Sequence, residues 1–197
     1  MLARRGIAGF SLSPELITKR LEVLKDVVPK LTLMGVLVTE RMNVGAERQI
    51  QELEPAAQFL RVKPLYLETK GEPRGLENAF ERARRERVDA IVPLGSPRFF
   101  AQRKRIVELA GKHRLPAIYS NRAFVDEGGL MSYGIDNHEQ YRRAATYVDK
   151  ILKGAKAADL PVEQPKKFEF IINLKAAKQI GLTIPPNVLA RADKVIK

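Results

Sequence analysis

Ser96 has the surroundings in this chain that come closest to those of a catalytic nucleophile. It stands in Leu94-Gly95-Ser96-Pro97, whereas the nucleophile elbow needs Gly-x-Ser-x-Gly, so only the first glycine has an equivalent. No His/Asp partner is evident in the sequence. We therefore interpret Ser96 either as the cap of a helix or as a hydrogen-bonding residue of a ligand-binding loop, and we predict no catalytic residues.

Metal and cofactor chemistry find equally little support. His138-Glu139 begins like a zinc-protease motif, but Arg142 stands where the second histidine is required, so we predict no metal site. The chain has no cysteine, which excludes disulfides and thiolate ligands. Both Gly-x-Gly-x-x-Gly and the P-loop pattern are missing, and we predict no cofactor. His113, at a predicted helix end, is interpreted as interacting with the helix dipole.

The elements that must position such residues alternate regularly. Helical spacing of apolar residues after Ser13-Pro14 is followed by the apolar run Leu33–Val38, which is typical of a buried strand. Further strands are predicted at 63–67, 90–94 and 116–119, with helices at 44–60, 75–86 and 98–113. This alternation predicts an α/β fold with a parallel sheet and helices on both faces. The ligand crevice of such a sheet is formed by the loops after the strands, here 39–43, 95–97 and 120–122.

Gly128-Gly129 interrupts this pattern. A brief strand is predicted at 130–133 and a helix, capped by Asn137, up to Lys153. Its apolar stripe comprises Tyr141, Ala145, Val148 and Leu152. A connector rich in proline then leads to a strand at 168–172, a short helix at 174–180 and a final helix introduced by Pro185-Pro186.

The formal net charge of +12 is consistent with affinity for anionic surfaces. The basic residues are nevertheless spread along helices, which favours a solvated cationic surface over a specific nucleic-acid interface. No stretch approaches the roughly 18 apolar residues of a transmembrane helix. The amino-terminal residues lack the apolar core of a secretory signal.

Three segments carry a family resemblance: GFSLSPELITKRLEVLKDVVPKL near the start, AIVPLGSPRFFAQRKRIVELAGKHRLPAIYSNRAFVDEGGLMSYG in the middle, and ADLPVEQPKKFEFIINLKAAKQIGLTIPPNVLARADKVI at the end. They resemble the bilobed substrate-binding proteins of bacterial ABC importers, of the tryptophan/tyrosine-type group. The resemblance implies one lobe of a type I periplasmic-binding fold, followed by a crossover helix and tail.

By this resemblance the chain divides into four parts. Residues 1–12 are a hinge remnant and 13–128 the second-lobe α/β domain. Residues 129–158 are a crossover strand and helix that normally pack on the first lobe, and 159–197 return to the second lobe. The family's first lobe and signal peptide are not represented, so we expect a truncated form with impaired binding.

The resemblance also implies a function. We expect a non-enzymatic importer component that binds an amino acid or other small organic solute and presents it to an ABC permease. It implies the periplasm, whereas the chain as printed, without a signal peptide, would stay in the cytoplasm. The alternatives are a cytoplasmic effector-sensing domain of a regulator and a flavodoxin-like enzyme. Candidate ligand-binding residues, chosen for loop or crossover position, are Ser11, Thr39, Asn43, Ser96, Asn121, Tyr133 and Asp136. An uncovered helix at 137–153 is expected to promote self-association.

Overall fold

The computed structural model describes residues 15–39, 44–69, 73–161, 165 and 167–197. Its helices are α1 Glu15–Val27, α2 Val44–Phe59, α3 Pro73–Arg85, α4 Pro97–Ala101, α5 Arg103–Lys112, α6 Arg122–Asp126, α7 Asn137–Leu152, α8 Leu174–Ile180 and α9 Pro186–Leu189. Its strands are β1 Leu33–Val38, β2 Lys63–Glu68, β3 Ala90–Pro93, β4 Ile118–Tyr119, β5 Met131–Ile135, β6 Phe168–Asn173 and β7 Lys194–Ile196.

The strands form two sheets that meet at one seam. The first has the order β2-β1-β3 and the second the order β4-β5-β6-β7. The pairings of β1 with β2 and β3, of β4 with β5, and of β6 with β7 are parallel. A single bridge between Ile91 and Ala117 joins the sheets, with a hydrogen bond of 2.8 Å from Ile91 N to Pro116 O. Pro116 has no N–H to donate, which limits the ladder at this point.

Two apolar clusters lie against the sheet. One collects side chains of α1, α2, α8 and α9 around alternate strand residues such as Val36 and Ile118. The other collects α3, α5 and α6 around the opposite alternation, including Leu37 and Tyr119. Successive strand residues point to opposite faces, so apolar runs such as Leu33–Val38 must be covered by helices on both faces. The predicted fold class is therefore confirmed.

Three local predictions need correction. The helix predicted over 98–113 is two helices, because the chain departs from helical geometry at Gln102, where φ is −100° and ψ is 16°. The cap of α7 is Asp136 rather than Asn137, since the Asp136 carboxylate accepts hydrogen bonds from the N–H groups of His138 and Glu139. The short elements α6 and β7 were not predicted at all.

The described residues divide into two compact units. One contains the described residues up to Gly134 together with Glu169–Lys197, and the other contains Ile135–Phe168. The second unit consists mainly of α7, a 3-10 turn at Ala157–Asp159 and the connector that follows. Among the helices of these described segments, none combines the length and apolarity that crossing a bilayer requires.

Candidate functional site

Two adjoining cavities open at the carboxyl-terminal edge of β1, β3 and β4. The larger has a volume of about 310 Å³ and is lined by residues that follow β3 and β4, among them Ser96, Phe100 and Asn121. The smaller, of about 130 Å³, is lined by Thr39 after β1 and by the first turn of α2. Leu94, Gly95, Ser96, Pro97 and Phe99 line both cavities. This edge is where an open parallel sheet forms its ligand crevice.

Ser96 and Asn121 hold equivalent positions, each capping the helix that follows its strand. Ser96 Oγ accepts from Arg98 N at 3.2 Å, and Asn121 Oδ1 accepts from Ala123 N at 2.8 Å. Capping uses an oxygen of each side chain as acceptor, so the Ser96 hydroxyl hydrogen and the Asn121 amide hydrogens remain as donors. The capping role predicted for Ser96 is confirmed, and it places a donor in the cavity wall.

Gln49 fixes the loop between β3 and α4. Its Oε1 accepts from Gly95 N at 2.6 Å, and its Nε2 donates to Gly95 O at 2.9 Å and to Gly45 O at 3.0 Å. A Cβ at position 95 would lie 3.2 Å from Gln49 Oε1, so glycine permits this close approach. The Gln49 amide therefore sets the position of the backbone that carries Ser96.

Aromatic rings make the larger cavity predominantly apolar. Phe99 is buried, whereas Phe100 is 44% exposed, with the Arg103 guanidinium carbon 5.2 Å from its ring centroid. Tyr119 stacks on Phe124 with a centroid separation of 4.7 Å and an interplanar angle of 9°. Of the adjacent pair Phe99-Phe100, one ring thus belongs to the core and the other can contact a ligand.

The walls of both cavities carry no charge. Tyr119 is the one lining residue with an ionisable side chain among the described residues, and burial raises the pKa of its hydroxyl, so it stays neutral. Such a surface suits an organic molecule with a flat or apolar body and a few hydrogen-bonding groups. It offers no arrangement for acid–base or nucleophilic catalysis.

The remaining predicted site residues are not brought to these cavities. Tyr133 packs edge-on against Phe170, with ring centroids 6.1 Å apart. Asp136 caps α7 and pairs with Lys167 at 3.0 Å; this hydrogen bond, together with those from the backbone, holds the pKa of its carboxyl below the ordinary value. Ser11 and Asn43 lie outside the described residues. The cavities thus bring together three predicted residues, Thr39, Ser96 and Asn121.

The contacts around the two histidines, His113 and His138, are structural. His113 follows α5 and stacks on Phe80 with centroids 5.9 Å apart. Burial, followed by the charges of Lys112 and Arg84, lowers its pKa, and its interaction with the helix dipole stays a prediction. Beside His138, the carboxylate of Glu139 accepts from Arg142 at 3.0 Å. No group of three or more candidate metal ligands occurs within the described segments.

Known structures with this fold include binding proteins. A conserved domain protein from Vibrio cholerae is 25% identical, with a TM-score of 0.85 over 96% of this chain and 62% of that one. An ABC domain in complex with L-Trp from Streptococcus pneumoniae is also 25% identical, with a TM-score of 0.83 over 96% of this chain and 64% of that one. An open, ligand-free substrate-binding protein with adhesive properties from Clostridium difficile is 20% identical, with a TM-score of 0.67 over 91% and 59% of the respective chains; this likeness shows the fold alone.

The chain therefore spans less than two thirds of the length of these relatives. No curated protein matches it. The model of the family described as ABC transporter substrate binding protein, however, matches residues 3–196. That family consists of binding proteins, and on this ground the prediction of a non-enzymatic protein is confirmed. The resemblance recognised in the sequence is confirmed as well: the chain belongs to the ABC transporter substrate-binding protein family.

Proposed function

We propose that this protein is the solute-binding component of an ABC importer and that its solute lies at the carboxyl-terminal edge of β1, β3 and β4. The observation that supports this most directly is the neutral cavity of about 310 Å³, in a chain of this family, between an exposed aromatic ring and two helix-capping side chains. Phe100 would contact the flat or apolar part of the solute. Ser96, Asn121 and Thr39 would donate hydrogen bonds to its polar groups.

The lining supports a small organic solute, and an aromatic amino acid fits it well. A ring placed against Phe100 gains apolar contact, and aromatic pairs add about 0.5–1.5 kcal/mol beyond area burial. The relative from Streptococcus pneumoniae was solved with L-Trp, which makes that amino acid the first solute to test. Family membership likewise supports a periplasmic location and transfer of the solute to an ABC permease. It gives no support to a regulator domain or a flavodoxin-like enzyme.

Affinity for the polypeptide of these 197 residues is expected to be modest. The described lining of both cavities belongs entirely to the larger unit, which supplies one wall. The cost of immobilising a ligand is nearly the same however many contacts are made, so one wall recovers little net binding free energy. We expect dissociation constants above roughly 100 µM, where the free energy of binding falls below about 5.5 kcal/mol in magnitude.

Fluorescence provides the test. The chain contains no tryptophan, so the emission of added L-Trp reports on binding without a tryptophan background. We expect the emission of L-Trp to change saturably as protein is added, and we expect other solutes of an amino-acid panel to compete with L-Trp for the site. Phe100→Ala should weaken L-Trp binding, and Lys175→Gln, on an exposed residue outside both cavities, should not. Micromolar affinity would contradict the one-wall argument, and no saturable binding of any solute at millimolar concentration would contradict the proposed function.

We also propose that α7 is covered by another protein surface, in the simplest case by a second copy. None of its residues is buried, and Tyr141, Val148 and Leu152 are exposed by 76%, 55% and 82%. The predicted apolar stripe is therefore exposed within the described structure. Contact between two such stripes would remove this apolar area from water.

A further inference from the structure

Three arginines occupy the same unusual backbone position. Arg61, Arg87 and Arg114 have φ values of 56°, 55° and 53°, in the left-handed region. Each follows a helix, and its own N–H bonds to the carbonyl three residues back. The N–H of the next residue bonds to the carbonyl five residues back: Val62 to Ala57, Val88 to Ala83, and Leu115 to Ala110. These are three Schellman-type helix ends with arginine where glycine is usual.

The stability of these helix ends does not explain why they carry arginine. A left-handed conformation is sterically unfavourable for a residue with a Cβ, and glycine avoids this cost. The α8 terminus of the same unit ends in the usual way, with Gly181 at a φ of 75°. Three helix ends use the costly residue type, whereas others in the described chain use glycine (Gly128, Gly154 and Gly181), and this indicates a role for the arginine side chains.

All three arginines lie at one edge of the sheet. They precede β2, β3 and β4, and because these strands are parallel in the order β2-β1-β3, with β4 bridged to β3, the arginines meet at the amino-terminal edge. Strands about 4.8 Å apart spread this row over roughly 15 Å. The candidate solute site lies at the opposite edge.

The row has no ionic partners among the residues that the structure describes. The three guanidinium groups are exposed and make no hydrogen bond or ion pair within the described part of the chain. Exposed Lys30, before β1, and Lys63, at the start of β2, add to the positive charge. Of the nearby acids, Asp89 is bound by Thr32 and Leu33, and Asp26 pairs with Arg191. Exposed Glu86, next to Arg87, offsets one of the positive charges.

An exposed aromatic residue stands at the same edge. Phe59 ends α2, two residues before Arg61, and is 82% exposed. A basic surface attracts anionic headgroups, and each Lys or Arg near the membrane raises affinity roughly fivefold. An aromatic side chain beside it can enter the boundary between headgroups and acyl chains.

We propose that the amino-terminal edge formed by Phe59, Arg61, Arg87 and Arg114 binds the anionic phospholipid surface of a bilayer. This contact is separate from solute binding, because the two surfaces lie at opposite edges of the sheet. Single-stranded nucleic acid fits less well, since its affinity depends on several aromatic side chains on which successive bases stack. Within the described residues, Phe59 is the one exposed large aromatic residue at this edge.

The test is co-sedimentation of the full chain with phosphatidylcholine vesicles, with and without phosphatidylglycerol. We expect binding only to the phosphatidylglycerol vesicles, and weaker binding as salt rises. The triple variant Arg61→Gly/Arg87→Gly/Arg114→Gly should bind roughly a hundredfold more weakly, from the contribution of three basic residues. Phe59→Ser should lose roughly tenfold, from the apolar contact of one ring.

A matched control removes the same charge from the opposite edge. Arg74, Arg98 and Lys104 are exposed residues in the first turns of α3, α4 and α5, and Arg74→Gln/Arg98→Gln/Lys104→Gln should bind vesicles within a few fold of the parent. Glycine suits the left-handed sites, so the first triple variant is expected to fold, as a circular dichroism melt will verify. Equal losses in both triple variants, equal binding to neutral vesicles, or displacement from vesicles by a single-stranded oligonucleotide at lower concentration than by soluble phosphatidylglycerol would each overturn the proposal.

Discussion

Replacing the three left-handed arginines by glycine is predicted to make the protein more stable. Each of Arg61, Arg87 and Arg114 keeps a φ near +55° in the native state. Glycine removes the steric cost of about 1–2 kcal/mol at each site, and its greater freedom in the unfolded chain returns about 0.5–1 kcal/mol of that gain. The net expectation is about 0.5–1 kcal/mol per site.

The gain at Arg61 should add nearly completely to the gains at Arg87 and Arg114, which precede the bridged strands β3 and β4 and can couple to each other. Arg61 and Arg87 precede strands on opposite sides of β1, and sites more than about 7–10 Å apart are usually independent. Their sum is about 2 kcal/mol. For a protein of this size 1 kcal/mol shifts the melting temperature by about 2–4 °C, so the triple glycine variant should melt roughly 4–8 °C higher. Removing three positive charges from a chain of net charge +12 acts in the same direction.

Calorimetry and urea unfolding of the parent, the triple glycine variant and the triple alanine variant separate the contributions of backbone strain and of charge to stability. The triple alanine variant removes the same charges but retains a Cβ at each left-handed site, so it should gain little over the parent. The difference between the glycine and alanine variants measures the backbone contribution alone. A glycine variant no more stable than the alanine variant would refute the argument from backbone strain, and with it one reason for assigning a role to these side chains.

Three further predictions concern other sites. Gln49→Ala should lower the free energy of unfolding by about 1–2 kcal/mol and weaken L-Trp binding, because the N–H and the carbonyl of Gly95 both lose their hydrogen bonds to the Gln49 side chain. Gln49→Glu retains the acceptor for the Gly95 N–H and should be intermediate. Unchanged L-Trp affinity in Gln49→Ala would exclude a positioning role for Gln49. Burial opposes ionisation of Asp89, but hydrogen bonds from Leu33 and Thr32 prevail and lower its pKa below the ordinary value of 3.8. The ionised carboxylate therefore stabilises the fold above that pH, and this stabilisation is lost as the pH falls through the lowered pKa. In urea unfolding measured against pH, Asp89→Asn should reduce the loss of stability in acid, and the same pH dependence in variant and parent would contradict this. Leu152→Lys should reduce any concentration-dependent association seen by light scattering, whereas a parent that stays monomeric at high concentration would disprove association through α7.

The regular part of the fold was predictable because its sequence signals are local. The apolar run Leu33–Val38 became β1 with the predicted bounds, since a strand buried on both faces needs little besides continuous apolar side chains. The break at Gln102 was missed, because Phe99 and Ile106 are both apolar at spacings that one helix could also bury. The strand β7 has three residues and depends on pairing with β6, which no local pattern reveals.

The candidate site was predictable only where it follows the strand ends. Ser96 and Asn121 were found because capping residues after strands share a position in the chain and hence an edge of the sheet. Gln49 was missed, because its contact with Gly95 joins residues 46 positions apart and a single glutamine on a helix forms no pattern. The left-handed arginines were missed because arginine does not signal a positive φ, although Ala-x-x-x-Arg followed by Val or Leu recurs at all three sites.

The seam between the sheets determines how rigid the floor of the cavity is. Pro93 and Tyr119, on its two sides, belong to different sheets, which in the described residues are joined by one bridge and one adjacent hydrogen bond. A junction with so few hydrogen bonds depends on the buried side chains of Ile91, Ala117 and Ile118 that pack beside it. At the proposed solute site, we expect this packing, rather than a hydrogen-bonded ladder, to set the width of the pocket.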